Sequence, residues 1–87
     1  TNKKAQLHAE FALHDALMLL NLSSESNERL NRIITWLQSI IFYGTYDPDM
    51  VKEAVKDADE IEDEMRKRGI DTEDYVSNLR LILQELA

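Results

Sequence analysis

The stretch ERLNRIITWLQSIIFYGTYDPDMV, residues 28–51, decides the fold. Placed at 100° per residue, Leu30, Ile33, Ile34, Trp36, Leu37, Ile40 and Ile41 fall on one arc of roughly 160°, and Glu28, Asn31, Thr35, Gln38 and Ser39 fall opposite. That is the period of an amphipathic helix with one wet face, not the two-residue alternation of a strand. The punctuation after it is equally specific. Gly44 suits the left-handed position that closes a helix, Asp47 suits the cap of the next, Pro48 its first position, and Tyr46 is placed to staple onto Val51.

The same reading extends in both directions and predicts four helices: Asn2 to Leu22, Glu25 to Tyr43, Pro48 to Arg68 and Thr72 to Leu86. Connections this short imply antiparallel neighbours. The predicted fold is therefore all-α, a four-helix up-down-up-down antiparallel bundle in which residues 1–87 form one domain. In the break from Leu22 to Asn27 three serines are candidate caps, with Glu25 and Glu28 favourably placed against the helix dipole. At the last turn, Gly69 suits the left-handed position, Ile70 folds back on Met65 or staples onto Tyr75, and Asp71 with Asp74 resembles a capping box.

The third helix carries a narrow 3-4 seam of Val51, Ala54, Ala58, Ile61 and Met65, whose alanines permit close approach of one neighbour. The fourth aligns Tyr75, Val76, Leu79, Ile82, Leu83 and Leu86. The first helix differs in having two apolar arcs. One is wide and alanine-rich: Ala9, Ala12, Leu13, Ala16, Leu17 and Leu20. The other is narrow, Leu7, Phe11, Met18 and Leu22, bounded by His8 and Asp15 on one side and by Glu10, His14 and Asn21 on the other. A helix apolar on two faces is central in a bundle or sits between subunits.

Composition bounds the function. Among 87 residues, 17 are acidic and 10 basic, for a formal net charge of -7, which opposes polyanion binding unless the cations cluster. The absence of cysteine removes disulfides, thiolate metal sites and cysteine nucleophiles together. The longest apolar run, Ala16 to Leu20, which contains Leu17 to Leu20, is five residues, far from the roughly 20 that span a bilayer, and no secretory signal can be drawn. The expectation is a soluble protein, with the cytoplasm as default compartment. The chain begins with Thr1, as a domain excised from a longer protein would.

The chemical motifs are weak. Glu10 with His14, and His8 with Asp15, are each half of a site, and no histidine lies outside the first helix. A di-iron bundle needs a Glu-x-x-His element on each of two helices, and Glu10 to His14 has the wrong spacing. The acidic run of Asp57, Asp59, Glu60, Glu62, Asp63 and Glu64 is no calcium loop, because Ile61 would occupy an oxygen-ligand position and Arg68 the place of the bidentate glutamate. It reads as a solvated face braced by Glu62 with Arg66, Asp63 with Lys67 and Glu64 with Arg68, or as an acidic docking face for a basic partner. Arg29 and Arg32 beside Trp36, and Arg66, Lys67 and Arg68, are the nucleic-acid candidates. Stacking of Arg32 on Trp36, and complementing a helix C-terminus, explain them as well. With no convergent nucleophile and base and no phosphate loop, neither catalysis nor a cofactor is expected.

The leading expectation is thus a non-catalytic protein interaction module, homodimeric through Leu7, Phe11, His14, Met18 and Leu22. The runner-up is an acidic regulator docking through helix 3 on a basic site of a DNA-binding or DNA-processing protein. A metal-dependent enzyme comes last.

Overall fold

A computed structural model describes residues 3–23, 27–44 and 47–86. Its order is α1 (Lys3–Ser23), α2 (Glu28–Tyr43), α3 (Pro48–Lys67) and α4 (Glu73–Leu86), with no strand among the described residues. The helices form an up-down-up-down antiparallel bundle measuring 37 × 21 × 20 Å. Packing is uneven around it. The first helix has extensive interfaces with both α4 and α2, α2 packs on α3, and α3 and α4 meet only sparsely.

The core is built from the arcs that the sequence marks. Leu30, Ile33, Trp36, Leu37 and Ile40 of α2 meet Ala54, Ala58, Ile61 and Met65 of α3 and Tyr75, Val76, Leu79 and Ile82 of α4. The side of α1 that faces them is almost all alanine: Ala5, Ala9, Ala12 and Ala16 have no exposed surface. Four small side chains spaced three and four apart let α1 approach two neighbours closely, which is why it occupies the centre of the packing. Leu19 completes this row and is buried, whereas Leu17, expected in the wide arc, is 45% exposed. The physical reason is rotation: Leu17 lies about 110° from the row's centre on the helical wheel and Leu19 about 50°.

Connections hold the register. At the start of α2 the cap is Asn27, not a serine; its Oδ1 accepts from the Leu30 amide at 3.0 Å, and the helix begins at Glu28 rather than Glu25. Asn2, Ser24, Glu25, Ser26 and Tyr46, to which the sequence assigns helix, capping or staple roles, lie outside the described residues. The Gly44 backbone is left-handed (φ 67°) and its amide donates to Ile40. Asp47 caps α3 by accepting from the Asp49 amide, with Pro48 in the first turn. The Gln6 side chain donates to the Ile41 carbonyl and ties the start of α1 to the end of α2.

The α3–α4 turn closes with two reverse hydrogen bonds, Ile70 amide to Met65 carbonyl (2.9 Å) and Gly69 amide to Arg66 carbonyl (3.0 Å). Asp71 then accepts from the Glu73 amide, and Thr72, buried, gives its carbonyl to Val76. Gly69 has φ 75°, yet a Cβ built there would touch nothing within 4 Å. Gly69→Val should therefore cost stability through backbone strain alone, about 1 to 2 kcal/mol. Urea titration followed by circular dichroism checks this, and an unchanged midpoint would show that the turn tolerates a β-branched residue at positive φ.

Candidate functional site

The second arc of α1 is left about half exposed by the described residues. Leu7, Phe11, Met18 and Leu22 are 51, 54, 52 and 59% exposed, on the opposite side of the helix from the alanine row. His14 lies at the edge of this stripe and is also exposed. At its C-terminal end the stripe runs into a small groove of about 130 Å³, where Met18 and Leu22 meet Asp15, Asp71 and Asp74. Asp15 is fixed there by Asn78 of α4, whose side-chain amide donates to Oδ2 at 2.9 Å. The five predicted interface residues are thus all exposed along the outer side of α1.

The candidate acid–base pairs gain no third member. Glu10 and His14 both face outward, His8 is half-buried with an unpartnered Nδ1, and no group of three potential metal ligands occurs among the described residues.

The acidic run divides by direction rather than forming one face. Asp57 is buried in the α2–α3 seam, where its two oxygens accept from Arg32 Nε (2.9 Å) and Nη2 (2.8 Å). Glu60 and Glu64 turn to Arg29, Glu62 to Arg66 and Arg80, and Asp63 to Arg66 rather than Lys67. Asp59 projects outward. Arg29 and Arg32, the cations beside Trp36, are accordingly held by carboxylates of α3. The bond to Asp57 raises the Arg32 pKa above its ordinary value.

The buried Asp57 was the signal most easily overlooked. It sits about 40° from Ile61 on the helical wheel, inside the seam's margin, but its five acidic neighbours conceal it. Its field also reaches Tyr75. Burial pushes the Tyr75 hydroxyl well above the usual tyrosine range, and the Asp57 charge adds to the shift. The Tyr75 hydroxyl and the Trp36 indole N–H are both buried without a hydrogen-bond partner.

Two further depressions flank α3. One, of about 380 Å³, lies between α2 and α3 on the apolar surfaces of Trp36, Ile33, Ala54 and Met50, with the Arg32–Asp57 pair at its edge. The other, of about 530 Å³, follows the sparse α3–α4 seam and is lined by Glu62, Arg66, Ile70, Val76 and Arg80 among others. No described helix is long and apolar enough to cross a membrane. Comparison of the chain with protein-family models, with curated proteins and with solved structures finds no match.

Proposed function

We propose that this chain is a non-catalytic interaction module that self-associates through the outer stripe of α1, with Phe11 as its anchor. One observation carries the reading: Leu7, Phe11, Met18 and Leu22 remain more than half exposed although α2, α3 and α4 already complete a core against the other face of the same helix. Four large apolar side chains in one row form a patch of roughly 400 Å², the size of the largest patch on a typical monomer, which is often functional. Burying a side chain like phenylalanine contributes about 1.5 to 3 kcal/mol, and a symmetric pair contributes twice. Docking through the acidic run is the weaker reading, because Asp57, Glu60, Glu62, Asp63 and Glu64 are engaged by arginines of the same chain.

Light scattering coupled to size exclusion, at several hundred micromolar on the order of a weak interface, should give about twice the 10.1 kDa chain mass. Phe11→Glu should return the protein to monomer with its helix content intact, since the residue contributes little to the monomer core. A wild-type monomer at that concentration would overturn the proposal, as would Phe11→Glu unfolding the chain.

A further inference from the structure

We infer that the two copies pair antiparallel, about a two-fold axis crossing α1 between His14 and Asp15, with Lys4 of each copy set against the acidic groove at the far end of the other. The inference rests on the self-association proposed above and adds its geometry. It starts from spacing. Leu7 and Leu22 have their midpoint between residues 14 and 15, and so do Phe11 and Met18. A perpendicular two-fold axis at that point lays the stripe onto itself, Leu7 on the partner's Leu22 and Phe11 on the partner's Met18. Any other axis position breaks both matches. The second match places a thioether against an aromatic ring, a favourable pair.

The charges at the two ends give an independent argument. The first turn of α1 holds Lys3 and Lys4 and no acid, and its last turn holds no base. Both lysines sit against the positive end of the helix dipole, which costs stability in the isolated helix. Lys4 shares the helical-wheel direction of Leu22, so it extends the stripe one turn past Leu7. At the other end, Asp71 and Asp74 of α4 line the groove around Met18 and Leu22. Antiparallel pairing carries Lys4 just beyond the partner's Leu22, beside that groove, and does so twice per dimer. Parallel pairing would set lysine on lysine and aspartate on aspartate. A patch of roughly 400 Å² per copy falls below the usual area of stable interfaces, so association in the range of roughly 10 to 100 µM is expected.

The absence of cysteine makes the orientation directly testable. Leu7→Cys and Leu22→Cys are made separately and treated with a short bismaleimide, alone and as an equimolar mixture. Positions 7 and 22 are about 22 Å apart along α1, so in the antiparallel dimer neither variant links to itself and the mixture gives a covalent dimer. In a second arm, Lys4→Glu should weaken association about tenfold, and adding Asp74→Lys to the same chain should restore it. If each variant links to itself instead, the copies are parallel and the inference fails while self-association stands. If the wild type scatters as a dimer but no arm links, the dimer uses another surface and the inference fails. A monomeric wild type overturns the underlying proposal as well.

Discussion

Trp36→Ala is expected to destabilise the monomer by about 3 to 5 kcal/mol, the largest effect of any single truncation in the core. Trp36 is 2% exposed and is the largest of the buried side chains, packed where α2 meets α3. A chain of 87 residues has a total stability of roughly 4 to 13 kcal/mol, so the loss removes a large part of it. The shape of the site sharpens the test. A cleft of about 380 Å³ already adjoins the indole, so truncation enlarges a void instead of creating one that neighbours close. Trp36→Phe should cost much less, within about 1.5 kcal/mol, because it keeps an aromatic ring and deletes an indole N–H that has no partner. Urea unfolding monitored by far-ultraviolet circular dichroism compares all three proteins. A Trp36→Ala loss below about 1 kcal/mol would place the residue outside the cooperative core.

The sequence was most informative where one face carries all the packing. On α2 and α4 every residue assigned to the apolar arc is buried or half-buried, because a single arc leaves no choice of orientation. The narrow seam of α3 was legible for the same reason. Reading was harder on α1, where two arcs compete. Periodicity identifies both but not the rotation that close alanine packing selects, hence the exchange of Leu17 for Leu19. Single polar residues were the least legible. Asn27 is a cap and Asp57 a buried ion-pair partner through their position relative to other helices, and neither role leaves a periodic trace. The candidate interface was legible as an arc lacking a partner. Its two-fold spacing becomes meaningful only with the exposed face and the Asp71–Asp74 groove in place.

Ala12→Leu should destabilise the monomer by about 3 kcal/mol, while Phe11→Leu next to it leaves monomer stability almost unchanged. The two residues are adjacent in sequence and about 100° apart on α1, and the fold uses them in opposite ways. Ala12 has no exposed surface and belongs to the row Ala5, Ala9, Ala12, Ala16, the row that allows α1 to lie close to both α2 and α4. A leucine there adds three carbons where the neighbouring backbones stand close. The only relief is to push α1 outward, which loosens its interfaces with both neighbours at once. Phe11, 54% exposed, gives up solvent-facing surface when shortened, so its replacement is expected to spare folding and, under the proposed self-association, to weaken the dimer. Thermal unfolding at a few micromolar, below the range of roughly 10 to 100 µM where association is expected, isolates the monomer term. A stable Ala12→Leu would mean that α1 is not closely packed. A Phe11→Leu variant that melts early at this dilution would place the stripe inside the monomer core.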